Sequence, residues 1–212
     1  MTPGAIGILL AAGAGSRFAR ASGGKDKLLA KAGSADDSAT VLAMSARALR
    51  DGCERTIAVV RPGQAARRTV LETAGCEVVE SKRADGGMGF SLADAVEAVL
   101  GRYHPRFLVI LLGDLPSIRA GTVPSILAAA ANRVPAGSTR VVVPVYRGLR
   151  GHPTVFFPCH FGALLACQGD RGAVGVVREF GACEIDVDDP GILHDIDLPD
   201  DLREMPPTSD SR

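Results

Sequence analysis

Short apolar runs, many of them β-branched, recur along the chain with amphipathic stretches between them. Ile6–Leu10, Thr56–Val60, Glu77–Val79, Phe107–Leu112, Arg140–Tyr146, Thr154–Phe157 and Cys183–Val187 read as strands. Helical character falls at Ala39–Arg50, at Pro62–Ala74 (closed by Gly75), at Gly89–Leu100, at Thr122–Asn132 with Thr122 as N-cap, at His160–Cys167, at Gly172–Phe180 and, briefly, at Pro199–Glu204. Leu92, Val96, Val99 and Leu100 share one face of their helix. Strands alternating with helices predict βαβ units and a mainly parallel sheet. Continuous apolar strands such as Leu108–Leu112 predict burial on both faces, hence a single-domain three-layer α/β/α sandwich over residues 1–204. Met205–Arg212 is polar and reads as a disordered tail.

In such a sheet ligands bind beyond the carboxyl ends of the strands, so the loops there carry the chemistry. The first strand runs into Leu10-Ala11-Ala12-Gly13-Ala14-Gly15-Ser16-Arg17, then a polar stretch to Lys25-Asp26-Lys27. Small residues let backbone amides approach a ligand, and Arg17 and Lys27 add positive charge: the makings of a triphosphate site. Two better-known phosphate motifs fail. Phe18 stands where a dinucleotide fingerprint needs its third glycine, and Asp26 follows Gly24-Lys25 where a P-loop needs Ser or Thr. Past the Phe107–Leu112 strand, Gly113-Asp114-Leu115-Pro116 sets a carboxylate at a strand end, where desolvation calls for a partner such as a divalent cation. Carboxylates two apart on extended chain face one side, so either Asp195 or Asp197 completes a metal site with Asp114. Asp200 and Asp201 instead favour the start of the last short helix. Gly86–Ser91 brings flexible backbone to a helix N-terminus, and Arg150-Gly151-His152-Pro153 joins two strands.

Composition narrows the class. Of 212 residues, 24 are Lys or Arg and 24 are Asp or Glu, so the chain lacks the basic excess of a nucleic-acid binder. Aromatics make up 4% with no Trp, too few for base-stacking platforms. The 25 glycines exceed the roughly 7% average and suit loops that approach phosphates. The five cysteines (Cys53, Cys76, Cys159, Cys167 and Cys183) form no CxxC, so neither a disulfide framework nor a zinc site is expected, and a reducing, cytoplasmic setting fits. The Ala5–Ala14 run lacks a preceding basic segment and is too short to span a bilayer, so no membrane partner is expected. The charges are unevenly spread: residues 1–83 hold 13 basic and 8 acidic groups, residues 84–183 hold 9 and 6, and residues 184–212 hold 2 and 10.

Leu10-Ala11-Ala12-Gly13, Ser16-Arg17, Lys27-Leu28-Leu29, Gly87-Met88-Gly89-x-Ser91-Leu92, Gly113-Asp114-x-Pro116, Arg150-Gly151-His152-Pro153, Gly169-Asp170-x-Gly172-Ala173 and Asp195-Ile196-Asp197-x-Pro199 occur in this order. The ordered set resembles the MobA/MocA-like NTP transferases, in particular the molybdenum cofactor cytidylyltransferases. The resemblance implies a Rossmann-like fold of the nucleotide-diphosphosugar-transferase type. It also implies a reaction in which CTP, or GTP, is joined to the phosphate of molybdopterin with release of pyrophosphate, and a molybdoenzyme as eventual client.

By the same resemblance Leu10, Ala11, Ala12, Gly13, Gly15, Ser16, Arg17, Lys27 and Gly113 bind the nucleotide, and Asp114 and Asp197 hold Mg²⁺. Arg17, Lys27 and Asp114 carry catalysis, while Gly87, Met88, Gly89, Ser91, Gly151, His152 and Pro153 line the molybdopterin side. The Leu-Ala-Ala-Gly form is that of the cytidylyl branch. Two departures stand out. Phe18-Ala19 replaces the family's Met-Gly and Arg20–Asp26 lengthens the loop, so Lys25 and Lys27 both compete for the phosphate-lysine role. Ala32–Thr40 replaces a short turn before the next helix. Alternatives are a sugar phosphate or other small phosphate as acceptor, and a non-catalytic accessory protein that binds molybdenum cofactor.

Overall fold

Side-chain alternation along the first strand sets the layering. β1 (Thr2–Leu10) sends Ala5 and Leu9 into one core and Ile6, Ile8 and Leu10 into another, as the two-residue period of an extended chain requires. The structure, a computed structural model, describes residues 2–32, 39–134 and 138–206. After β1 come α1 (Ser16–Ala21), the antiparallel pair β2 (Lys31–Ala32) and β3 (Ala39–Thr40), α2 (Val41–Gly52), β4 (Cys53–Val60), α3 (Ala65–Thr73), β5 (Glu77–Glu80) and α4 (Met88–Leu100). The chain continues through β6 (Phe107–Leu112), α5 (Thr122–Arg133), β7 (Val141–Tyr146), β8 (Leu149–Arg150), β9 (Thr154–Phe156), α6 (Phe161–Leu165), α7 (Gly172–Phe180) and β10 (Ala182–Asp186).

The main sheet has the order β10–β7–β9–β6–β1–β4–β5, with β8 paired to β7. β1 runs parallel to β4 and β6, β4 to β5, and β10 to β7, while β9 lies antiparallel between β6 and β7. One face is covered by α2, α3 and α5 through Leu42, Leu49, Leu71 and Ile126. The other is covered by α4, α6 and α7 through Leu92, Val96, Leu164 and Val176. The expected mainly parallel three-layer sandwich is therefore the fold. Among the described residues no helix is long and apolar enough to cross a membrane.

Several elements differ locally from the sequence expectation. Ser16–Ala21 forms a short helix rather than loop, anchored by the buried Phe18. Thr122 does not cap α5: Gly121 occupies the cap position, and the Thr122 hydroxyl donates to Asp189 Oδ2 at 2.7 Å. The helix expected from Pro62 begins at Ala65, after a turn in which Gln64 Oε1 accepts the Arg61 amide. His160 precedes α6 and is structural. Its Nδ1 accepts the Phe157 amide at 3.0 Å, which leaves Nε2–H to donate to Thr139 O at 2.7 Å. Met205 packs against the core, and the expected tail beyond Pro206 lies outside the described residues, as do residues 33–38 of the Ala32–Thr40 segment.

One close backbone approach fixes the C-terminal segment on the sheet. Gly191, in the turn Pro190–Leu193, packs against the strand-end loop after β6, and a methyl there would stand 2.0 Å from Ser117 O. Backbone cannot yield to it as a side-chain tip would. Gly162 in α6 has nothing within 4 Å of the same added atom. Gly191→Ala is expected to lower stability by about 1–3 kcal/mol, and Gly162→Ala to raise it by about 0.5–1 kcal/mol. Urea midpoints of the two variants should move in opposite directions.

Candidate active site

The loops after β1 and β6 leave the sheet side by side because Leu10 and Leu112 are in register and both strands end there. Gly113 N donates to Leu10 O at 2.9 Å, and Ser45 Oγ of α2 donates to Gly113 O at 3.0 Å, which fixes the turn that carries Asp114. Asp114 is largely buried, and its Oδ2 accepts from Lys27 Nζ at 2.6 Å. Its Oδ1 is buried with no hydrogen-bond partner. A carboxylate so enclosed needs an opposite charge against it, and Lys27 supplies one.

The C-terminal acidic segment closes the site. Ile196 is fully buried and its amide donates to Asp114 O at 3.0 Å. Asp201 Oδ2 accepts the amides of Asp197 and Leu198 at 2.7 and 2.6 Å. Asp197 thereby reaches Lys27 Nζ with Oδ1 at 3.4 Å and pairs through Oδ2 with Arg17. Asp195 is exposed. Of the two lysines, Lys27 stands between the carboxylates, whereas Lys25 is exposed and forms no ion pair with any described residue. Gly15 packs against the Lys27 stem.

The first loop presents donors. Ala11 N is used by Val59 O, but among the described residues the amides of Ala12, Gly13, Ala14 and Gly15 donate to no protein group. The carbonyls of Ala11, Ala12 and Gly13 are held by arginines. Arg67 NH1 donates to Ala11 O and Gly13 O at 2.6 and 2.9 Å, and Arg61 Nε to Ala12 O at 2.6 Å. Arg67 also forms a two-point pair with Asp26, whose Oδ1 accepts the Leu28 amide at 3.0 Å. Sequence reasoning missed Arg61, Arg67 and Asp26. Arg67-Arg68 reads as an ordinary charged helix face, and only the packing of α3 under the loop tells the buried arginine from the half-exposed one.

The residues assigned to the molybdopterin side divide between two cavities. Gly87, Met88 and Ser91 share a cleft of about 260 Å³ with Leu10, Ala12, Gly13 and Asp170. Gly151 and His152 line a second, of about 340 Å³, with Arg150, Thr154, Val174 and Arg178. Gly89 packs on the Gln168 backbone instead, and Pro153 is buried; neither lines either of these two cavities. The His152 side chain lies close to Asp114, with its Nδ1 buried and unpartnered. Burial pushes its pKa below 6.5, against the opposing pull of Asp114, a bond to the Ile110 backbone and Asp195. The imidazole is therefore neutral at pH 7.

Residues 7–184 match the family model of the MobA-like NTP transferase domain. The crystal structure of Rv0371c from Mycobacterium tuberculosis H37Rv is 27% identical, with a TM-score of 0.73 over 96% of this chain and 98% of that one. A structure of Rv0371C in complex with manganese is 25% identical, with a TM-score of 0.67 over 97% and 98%. A nucleotidyl transferase from Methanothermobacter thermautotroptrophicus, Mth528, is 21% identical with a TM-score of 0.77 over 96% and 97%, a likeness of fold. No curated protein sequence matches the chain significantly.

The direction of the His152 shift fixes the sign of a pH effect. A histidine whose folded pKa lies below its unfolded value contributes stability above about pH 6.5 that is lost as pH falls, because the unfolded chain binds the proton more readily. The stability difference between wild type and His152→Gln should therefore narrow between pH 7.5 and 5.5 in urea titrations. A constant difference over that range would contradict the assigned shift.

Proposed function

We propose that this chain, which belongs to the MobA-like NTP transferase domain family, transfers the nucleoside monophosphate of CTP to the phosphate of molybdopterin and releases pyrophosphate. One observation carries the reading. Arg17, Lys27, Asp114 and Asp197 converge at the carboxyl ends of β1 and β6, beside a run of unused backbone amides. That is an arrangement for a polyphosphate and its counter-charge. The choice of molybdopterin rests on the ordered motifs, and the choice of CTP on the Leu10-Ala11-Ala12-Gly13 form.

The attacking group would be a phosphate monoester, already ionised at pH 7 with a second pKa of about 6, so no general base is required. Positioning and neutralisation of charge at the α-phosphate then do the catalytic work. The amides of Ala12 to Gly15 are free to bind phosphate oxygens, and Arg17 and Lys27 stabilise the leaving pyrophosphate. In this reading the nucleoside takes the cleft between the first loop and Gly87–Ser91, and the acceptor the cavity of Arg178 and His152, whose imidazole lies close to Asp114. Neutral His152 orients the acceptor by hydrogen bonding rather than by charge.

Asp114 and Asp197 would hold a divalent cation, assigned here as Mg²⁺. The unpartnered Oδ1 of Asp114 and the part-exposed Asp197 carboxylate fit a hard ion that shares its shell with phosphate oxygens. When bound, such an ion neutralises charge on the reacting phosphates. That a structure similar to this one, of Rv0371C, is a complex with manganese supports a divalent ion as the partner of these carboxylates. Lys27 and Arg17 stand against the same carboxylates, so each sign of charge is compensated within the protein.

Incubation with Mg²⁺, each NTP in turn and molybdopterin should release pyrophosphate with CTP alone. Release that needs a sugar phosphate instead would move the acceptor assignment, and tight cofactor binding without release would indicate an accessory role. Asp114→Ala is expected to abolish transfer while circular dichroism stays unchanged; near-normal turnover would sink the metal assignment. Lys27→Ala should slow pyrophosphate release by about 10²–10³, with Lys25→Ala close to wild type.

A further inference from the structure

Arg67 sits near the start of α3 with its side chain 4% exposed, yet it lines neither cavity. A guanidinium so enclosed is expensive to desolvate, and its charge is met by one carboxylate, that of Asp26. All four of its hydrogen bonds go to two segments. Nε and NH2 grip Asp26 at 2.7 and 2.9 Å, and NH1 holds Ala11 O and Gly13 O at 2.6 and 2.9 Å. The first segment leads directly into Lys27, and the second is the loop whose amides are unused.

The consequences follow from peptide geometry. In a planar trans peptide the N–H opposes the preceding C=O, so pinning Ala11 O and Gly13 O towards α3 turns the amides of Ala12 and Ala14 away from it, on a stretch that lines the cleft. Asp26, held from below by Arg67, accepts the Leu28 amide and so sets the short turn Lys27–Leu29 from which Nζ reaches Asp114. A planar fork with five donors can make all four bonds at once, more than the three donors of a compact lysine ammonium can supply.

We propose that Arg67 is a positioning residue for triphosphate binding and transfer: through Asp26 it sets where Lys27 stands, and through two carbonyls it aims the loop amides at the phosphates. This rests on the reading of the site as an NTP site. Arg67 touches no reacting atom, and its effect passes through Lys27 and the loop.

The test measures binding of Mg·CTP by calorimetry and pyrophosphate release for wild type, Arg67→Lys, Lys27→Ala and the double variant. Arg67→Lys keeps the charge but not the fork. It should retain the wild-type circular dichroism spectrum, weaken nucleotide binding and lower kcat/KM by about 10²-fold, the scale of a misplacement of about 1 Å. In the Lys27→Ala background the same change should cost distinctly less, since part of its effect is already gone. A purely structural role would instead depress both backgrounds equally, in step with lost melting temperature. Wild-type binding and kcat/KM in Arg67→Lys would overturn the proposal. Should that variant fail to fold, Asp26→Asn decides: it keeps an oxygen for the Leu28 amide, removes the charge facing Arg67, and should show the same loss and the same non-additivity with Lys27→Ala. If wild type binds no Mg·CTP, or any other Mg·NTP, the NTP reading itself fails; if it binds and the variants bind equally, the role of Arg67 alone is refuted.

Discussion

Lys27 Nζ, lodged between Asp114 and Asp197, ties together three parts of the chain that are far apart in sequence. The lysine comes from the end of the first loop, Asp114 from the turn after β6 and Asp197 from the segment after β10. Each charge is tolerable at the edge of the core only because the others are there. The rest of the architecture serves this meeting. Parallel pairing of β1 with β6 brings the two loops level, Ser45 clamps the Gly113 turn from beneath, and Ile196 plugs the core so that Asp197 faces Lys27. The close approach of Gly191 to Ser117 seats the returning segment against that same turn.

Binding a polyphosphate requires backbone amides that the protein itself leaves unused, and a loop in that state is entropically disposed to sample many conformations. Guanidinium groups beneath the loop remove that freedom. Arg61 and Arg67 take three successive carbonyls, which decides the direction of the amides before any ligand is present. Preorganised donors of this kind need no rearrangement as charge develops, which is why they outweigh flexible surface lysines in catalysis. The exposed Lys25, two residues from Lys27, illustrates the contrast: same charge, no ion pair with any described residue.

Most of the fold was legible because its signals are local. Apolar runs of strand length, alternating with amphipathic stretches, mark the parallel sheet and its two helical layers, and strand ends mark where chemistry sits. Arg17, Lys27, Asp114 and Asp197 were legible as site candidates for the same reason: each lies in or beside a strand-end loop or the acidic tail segment. What could not be read depends on contacts across the fold. Nothing in Arg67-Arg68 says which side chain faces inward, and nothing in Thr122 says that its hydroxyl is claimed by Asp189 rather than by the helix end. α1 was hidden because its six residues carry one buried anchor, Phe18, too little for a periodic signal. The choice between Lys25 and Lys27, or between Asp195 and Asp197, is likewise a matter of which side chains tertiary packing brings together.

The neutral total charge takes on a physical meaning in this light. A basic N-terminal body and an acidic C-terminal segment would, as separate pieces, repel their own kind and attract each other. Folding brings the acidic segment back onto the loop of the basic half, where Arg17–Asp197 and Lys27–Asp197 cross the boundary between them. Arg119 and Asp189 make a second crossing, where the Arg119 amide and the Thr122 hydroxyl both donate to Asp189 Oδ2. Paired charges at a partly exposed edge contribute little net stability. Their value at this site is that neither sign is permanently committed: both remain within reach of a ligand that itself combines multiple negative charges with a divalent cation. A site built from one sign alone would serve only half of such a ligand.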